Sequence, residues 1–158
     1  MDTPHLRGYA GLLKQAGRTL ESTIHGSSMG GTLPDGATIR IVPSRPEQYR
    51  AGQIVACVEH GLLFAHRIVD VHRDRLITQG DGWVLCDPPI QLSQVIGEVV
   101  AYRVGNEWRD PAEMAGRSGL RAWIARGHCW LIAACLRLNP ALARMAAWQS
   151  MKLNARYR

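Results

Sequence analysis

The chain has 158 residues, of which 46% are hydrophobic and 20% are charged, and its formal net charge is +6. This length and balance favour one globular domain with a real hydrophobic core. The longest apolar run, from Cys129 to Leu136, is too short to span a bilayer. Residues 1–21 contain no apolar run long enough for a signal peptide. The sequence therefore predicts no membrane-spanning segment.

The cysteines of the chain follow no metal-binding or redox motif. There are four, Cys57, Cys86, Cys129 and Cys135, and no two of them form a CxxC pair. This irregular spacing predicts buried free thiols in a reducing compartment, and hence a cytoplasmic protein. The same spacing predicts neither a zinc site nor another metal site, and no segment indicates a cofactor.

The first part of the chain predicts one helix and two strands. Thr3-Pro4 can begin a helix that runs to about Gly17. Residues 18–26 then alternate between apolar and polar side chains like a strand. Residues 37–43 alternate more clearly, with Ile39 and Ile41 on one face.

The middle of the chain predicts further short strands separated by turns. We expect strands at Ile54–Glu59, Leu62–His72 and Leu76–Thr78. Residues 93–108 predict another strand, in which Gly97 marks a bulge. Short strands at this spacing are typical of a closed or folded-over β-structure, so the predicted fold is mainly β.

The composition changes after residue 110, where a loop leads into helical spacing. We expect one helix from Leu120 to the break at Asn139-Pro140, and a second, basic amphipathic helix to the end. The sequence therefore divides into a β domain with its N-terminal helix, residues 1–110, and a C-terminal helical pair, residues 111–158.

The C-terminal part is strongly basic. From Arg117 to Arg158 there are eight Lys or Arg residues and no acidic residue. A solvated basic face and an attraction to an anionic partner are both open interpretations. Of the possible partners we favour a peripheral membrane surface or a protein, contacted through residues 118–158. Nucleic acid is disfavoured because no base-reading motif is present.

The stretch HGSSMGGTLPDG, residues 25–36, supplies a candidate nucleophile. Ser28 lies in a glycine-rich turn after a predicted strand, where its Oγ is uncrowded and backbone N–H groups can face a developing oxyanion. His66 is the natural general base. A carboxylate must then hold the imidazole in one tautomer, and both Asp81 and Asp87 are available.

Five segments, in the same order, resemble the sequence boxes of the signal peptidase I family of serine peptidases. They are Gly26-Ser27-Ser28-Met29 followed by Thr32-Leu33 and Gly36, Gly52-Gln53-Ile54-Val55, AHRIVDV (65–71), LITQGDGWVLCDPP (76–89) and VIGEVV (95–100). The third segment is similar to the His-Arg box of the archaeal and endoplasmic-reticulum branch, whereas bacterial members carry a lysine base there. The resemblance spans residues 26–103.

The resemblance implies a role for each residue of these boxes. Ser28 would be the nucleophile, with its backbone N–H in the oxyanion hole, and His66 the general base. Asp87 would be the orienting acid and Asp81 a supporting carboxylate. Gly26, Ser27 and Met29 would contact the substrate. The implied fold is a folded-over β-sheet core with an extended substrate groove that accepts small residues before the scissile bond.

The sequence also departs from the family pattern. Gly31 and Gln53 stand where the family usually has proline and aspartate, and Gly26 lacks the hydroxyl donor that some bacterial members carry. Residues 1–21 show no counterpart of the family's N-terminal membrane anchor, so the sequence predicts a chain without one. We therefore expect a cytoplasmic protein, able to lie at the periphery of the membrane, that removes a leader or signal segment from a peptide or protein.

Two other functions are compatible with parts of the pattern. The chain could be a non-catalytic partner- or membrane-binding module that retains the peptidase fold, although Ser28, His66 and Asp87 are all present. A self-cleaving repressor is disfavoured, because such proteins use a lysine base and because the segment before Ser28 is too short for a helix-turn-helix domain.

Overall fold

The computed structural model describes residues 17–59, 61–83, 85–111, 120–139, 141, 142 and 145. Its strands are β1 (Leu20–Thr23), β2 (Thr38–Val42), β3 (Ile54–Glu59), β4 (Leu62–His72), β5 (Arg75–Gln79), β6 (Ile90–Gln91), β7 (Val95–Val104) and β8 (Glu107–Arg109), and its long helix is α1 (Leu120–Leu138). The predicted N-terminal helix and most of the predicted helix after Pro140 lie outside the described residues.

The strands form one antiparallel sheet. Its order is β1-β2-β7-β3-β4-β5-β6, and β8 folds back onto the end of β7. β7 is central because it pairs with β2 on one side and with β3 on the other. The prediction of a mainly β fold is confirmed. The strand predicted for residues 93–108 is instead two strands, β7 and β8, because the chain turns back at Gly105-Asn106, and the other predicted strands are found within a few residues of their expected bounds.

The bulge expected at Gly97 is present beside that residue. Ala56 pairs with Gly97 whereas Cys57 pairs with Val95, so Ile96 is the extra residue of β7. A side chain at position 97 would overlap the backbone of Val42 and come within 2.9 Å of the Pro43 Cα. Glycine is therefore required at this position because two backbones cross closely.

Alternating residues place apolar side chains on the inner side of the sheet. Ile39 and Ile41 of β2 are fully buried, as their alternation predicts, and pack in a core with Ile54, Val99 and Tyr102. This cluster is the main hydrophobic core and lies beneath the loop that joins β1 to β2. Burial of these side chains holds that loop on the sheet.

Helix α1 packs against β4 and β5. Its buried face contributes Cys129, Ile132, Ala133 and Leu136 to a cluster with Ile77 of β5. The helix ends at Leu138, as the Asn139-Pro140 break predicts. No helix in the described part of the chain combines the length and apolarity that crossing a membrane requires.

The prediction of four free thiols is wrong. Cys86 and Cys129 form a disulfide, whereas Cys57 and Cys135 are free. The two bonded residues are 43 positions apart, and only the packing of α1 beside the segment after β5 brings them together. Spacing in the sequence carries no sign of this contact. The inference of a reducing compartment thereby loses its basis.

Candidate active site

The candidate nucleophile lies in the loop between β1 and β2. A turn brings the Gly30 N–H to the Ser27 carbonyl oxygen at 2.9 Å and leaves Ser28 at its bend. Met29 holds the turn in place, since its side chain is only 2% exposed and packs in the main core. Residues 27–30 thus fold as a tight turn that is anchored by the buried side chain of Met29.

Gly80 and Gly82 pack against the backbone of this turn. The Gly82 N–H donates to the Ser28 carbonyl oxygen at 2.7 Å. A Cβ at Gly82 would lie 2.8 Å from the Ser27 oxygen, and a Cβ at Gly80 would overlap the Ser28 carbonyl and lie 3.1 Å from the His66 Nε2. The segment after β5 and the nucleophile turn therefore pack backbone against backbone, which only glycine permits.

His66 projects from β4 and is 3% exposed. The rings of Phe64 and Trp83 meet its imidazole edge to face, each with a centroid distance of 5.1 Å. His66 Nε2 lies 2.9 Å from the Ser28 Oγ. This is the contact that the sequence predicts between nucleophile and base, and the aromatic rings fix the imidazole plane that makes it.

Asp87 lies on the other side of the imidazole. Its Oδ2 is 2.6 Å from the His66 Nδ1 and accepts a hydrogen bond of 2.7 Å from the Thr78 hydroxyl. The Asp87 N–H also donates to the Thr78 carbonyl oxygen at 2.8 Å. With this carboxylate accepting at Nδ1, the proton lies on Nδ1 and the Nε2 lone pair faces the Ser28 hydroxyl.

Asp81 does not contact the imidazole. It forms a two-point ion pair with Arg67, with Nε to Oδ1 at 3.0 Å and Nη2 to Oδ2 at 2.7 Å. The Thr32 hydroxyl donates to the same carboxylate at 2.8 Å, and Arg67 also donates to the Gly52 carbonyl oxygen. Asp81 and Arg67 therefore connect the loop that carries Ser28 with β4 and with Gly52, which lies just before β3. Of the two candidate carboxylates, the structure brings Asp87 to His66.

Ser28 and His66 open into a groove of about 490 Å³. Its walls are largely apolar and include Leu62, Leu63 and Trp83. Gly26 lines the groove as expected, whereas Ser27 contributes its carbonyl oxygen to the turn. Met29 was expected to contact the substrate, but it is a core residue because the turn directs its side chain into the sheet.

The chain was compared with protein-family models, curated proteins and solved structures, and none matches it. What this site can do must therefore be derived from its own geometry. That geometry is a hydroxyl, an imidazole and a carboxylate joined in series at the base of an apolar groove.

The sequence alone did not single out Phe64, which packs on the imidazole, or four further residues of the site: Thr78, Gly80, Gly82 and Trp83. These four residues belong to the segment that carries Asp81 and Asp87. The two glycines gave a usable signal, because a GDG sequence directly after a strand indicates a turn or a close approach of backbones. Thr78 gave none, since threonine is a common strand residue and four consecutive residues of β5, 76–79, are buried without alternation.

One cluster in the described residues groups three side chains of metal-binding type. Donor atoms of Cys86, His128 and Cys129 lie within 4.8 Å of one another. Both sulfurs are committed to the disulfide, and the His128 Nδ1 accepts the Cys86 N–H at 3.2 Å. In the disulfide form these residues hold α1 against the segment that leads to Asp87.

Proposed function

We propose that this chain is a serine endopeptidase of the signal-peptidase type, which removes a leader or signal segment from a peptide or protein. One observation carries the proposal: the continuous hydrogen-bonded series Ser28 Oγ, His66 Nε2 and Nδ1, Asp87 Oδ2. The resemblance of five sequence segments to that family supports the same function.

In this mechanism the Ser28 Oγ attacks the carbonyl carbon of the scissile peptide bond while His66 Nε2 accepts the hydroxyl proton. Asp87 stabilises the imidazolium that results. The backbone N–H of Ser28 donates to the oxyanion of the tetrahedral intermediate. His66 then gives its proton to the leaving amine, the C–N bond breaks, and an acyl-enzyme remains. A water molecule, deprotonated by His66, releases the acyl group by the same steps.

The groove suits a substrate in an extended conformation. The first half of β4, Leu62 to His66, pairs with β3, and its pairing with β5 begins only at Arg67. β1 pairs with β2 alone among the described strands. Within the described residues neither of these edges has a strand partner, and Thr23 and Leu63 at these edges line the groove. A peptide lying there can add hydrogen bonds to either strand, as in β-strand addition.

A fluorophosphonate probe tests the proposal directly. It should label the purified protein covalently on Ser28, as located by peptide mass spectrometry, because only an activated serine reacts at an appreciable rate. Ser28→Ala should abolish labelling. Ser27→Ala is the matched control, since Ser27 is the neighbouring serine and contributes its backbone to the turn.

Two results would contradict the proposal. The first is a wild-type protein that fails to react, which would favour the non-catalytic binding module. The second is labelling that survives in Ser28→Ala but disappears in Ser27→Ala, which would assign the nucleophile to the other serine.

A further inference from the structure

Helix α1 is apolar on two faces. One face carries Cys129, Ile132, Ala133 and Leu136 and is buried against the sheet. Other positions of the helix are apolar and exposed: Trp130 is 71% exposed and Leu138, two turns further on, is 82% exposed. A helix that needed only to cover the sheet would carry polar residues at these positions.

The exposed apolar side chains recur beyond the end of the helix. We define the docking face as the exposed apolar side chains of this segment: Trp130, Leu131, Leu138, Leu142 and Met145. Trp130, Leu131 and Leu138 are separated by one and seven positions, which is the spacing of side chains along one side of α1, and Leu142 and Met145 follow after the break at 139–140. Single exposed apolar residues are ordinary, but a series along one segment indicates a surface that binds something.

Charge indicates what the docking face binds. The segment from Arg117 to Arg158 contains eight Lys or Arg residues and no acidic residue, and Arg137 lies exposed directly before Leu138. A partner must therefore accept bulky apolar side chains and provide negative charge around them. An anionic lipid surface has both properties, with acyl chains beneath a layer of phosphates.

We propose that the docking face lies in the plane of an anionic lipid surface, with Trp130 at the depth of the headgroups. The indole ring suits the boundary between water and hydrocarbon, and arginine side chains can reach the phosphates while their stems remain apolar. A protein partner would explain the apolar residues equally well. A protein would also have to surround a matching apolar groove with acidic side chains, whereas an anionic lipid surface supplies both properties without a matched shape.

The proposal is independent of the peptidase chemistry, since it uses no residue of the groove. It does have a geometric consequence for the groove. The Cys86–Cys129 disulfide joins α1 to the residue that precedes Asp87. A docked helix would therefore hold the segment beside the candidate active site close to the lipid.

Co-sedimentation of the full chain with vesicles tests the proposal. One set of vesicles is phosphatidylcholine, and the other contains about one third phosphatidylglycerol. We expect binding to the anionic vesicles, weaker binding to the neutral ones, and a loss of binding as salt is added. The double variant Trp130→Ser, Leu138→Ser should bind at least about tenfold more weakly, because both anchoring side chains are removed.

Two further variants make the result specific. Arg137→Gln should weaken binding to anionic vesicles by about fivefold and leave binding to neutral vesicles unchanged. Val104→Ser is the matched control, because Val104 is exposed but lies on the β7–β8 turn, away from the docking face. All these positions are exposed, so folding should persist, and circular dichroism checks that it does.

The proposal is overturned if the wild-type protein binds neither vesicle, or if it binds both equally. It is also overturned if the double variant binds like Val104→Ser. A wild-type dimer in sedimentation without lipid, absent in the double variant, would assign the docking face to a second copy of this chain instead. None of these outcomes changes the expectation for the fluorophosphonate probe, so each proposal can fail separately.

Discussion

The two aspartates of the LITQGDGWVLCDPP segment differ in their contacts and should differ in their roles. Asp87 contacts the imidazole of His66, and the Thr78 hydroxyl fixes its orientation. Asp81 is held by Arg67 and Thr32 and acts on the loop that carries Ser28. Asp87 should therefore control the reactivity of Ser28. Asp81 should instead contribute to the stability of the loop that carries Ser28.

Asp87→Asn and Asp81→Asn should separate these roles. An amide at position 87 donates to the His66 Nδ1, which places the imidazole proton on Nε2 and leaves no base for the Ser28 hydroxyl. The loss in the comparable substitution of a trypsin-like enzyme is on the order of 10⁴-fold. We expect a loss of that size in the rate of fluorophosphonate labelling for Asp87→Asn, with little change in melting temperature.

Asp81→Asn should show the reverse pattern. It removes the charge that pairs with Arg67, so the free energy of unfolding should fall by about 1–3 kcal/mol while labelling slows much less. If Asp81→Asn stops labelling and Asp87→Asn does not, the roles of the two carboxylates are exchanged.

Gln53 stands where the resembled family usually has aspartate, and its contacts with Glu98 and Arg50 suit an amide better than a carboxylate. The Gln53 side chain bonds the carboxyl of Glu98 on β7, and burial together with the nearby Asp110 raises the pKa of Glu98. An aspartate at position 53 would add a further negative charge to this site. An amide instead donates to the carboxylate and accepts the Arg50 N–H at 2.7 Å.

Glu98→Gln should stabilise the protein at neutral pH. Because the folded protein holds the Glu98 proton to a higher pH than the unfolded chain does, stability falls as pH rises above the ordinary glutamate pKa of about 4.3. The glutamine cannot ionise, so we expect a gain below about 1 kcal/mol at neutral pH that disappears in acid. Denaturant unfolding across this pH range measures it.

Glu107→Gln is the control for this measurement. Glu107 is exposed and pairs with Arg109 at 3.2 Å, so its replacement should give no gain. An equal gain in both variants would mean that net charge, and not the surroundings of Glu98, sets the effect.

Among the structural elements, α1 depends most on a single covalent bond. The Cys86–Cys129 disulfide closes a long loop and attaches the helix beside β5. Its reduction should lower the free energy of unfolding by about 2–4 kcal/mol, because the unfolded chain regains conformational freedom. Unfolding with and without a dithiol reductant measures the difference.

The double variant Cys86→Ser, Cys129→Ser is the control. Its free energy of unfolding should not change when reductant is added, because it lacks the disulfide. Thiol alkylation in denaturant should modify Cys57 and Cys135 alone before reduction, and all four cysteines after it. Four reactive thiols in the unreduced protein would show that the bond is absent.

Local pattern predicted the elements well and their arrangement poorly. Alternation located β2 and β4, and the Asn139-Pro140 break located the end of α1, because each depends on neighbouring residues. The bonded pair Cys86–Cys129 and the contact of Thr78 with Asp87 depend on which elements meet in space. Alternation of side chains carries no information on strand order. The residues themselves indicated Ser28 with His66 and left Asp81 and Asp87 both open, and only the resemblance to a family favoured Asp87.

At the scale of the whole molecule, the residues of the candidate site can be compared with the strands in their order along the chain. Ser28 follows β1, His66 lies on β4 and is 38 residues further along, and Asp87 is a further 21. Among the described strands, the β1–β2 hairpin joins the rest of the sheet only through β7. The three side chains therefore all precede, in the sequence, the strand that unites the two halves of the sheet.

Protein synthesis proceeds from the N-terminus, so β7 is made after every residue of the proposed catalytic series. A nascent chain that has emerged only as far as Gln94 carries every group of the proposed catalytic series but lacks β7, the strand that pairs with both β2 and β3. We therefore expect a chain of this length to lack the proposed activity. The proposed catalytic series would then reach its folded arrangement only after β7, the last long strand of the sheet, has formed.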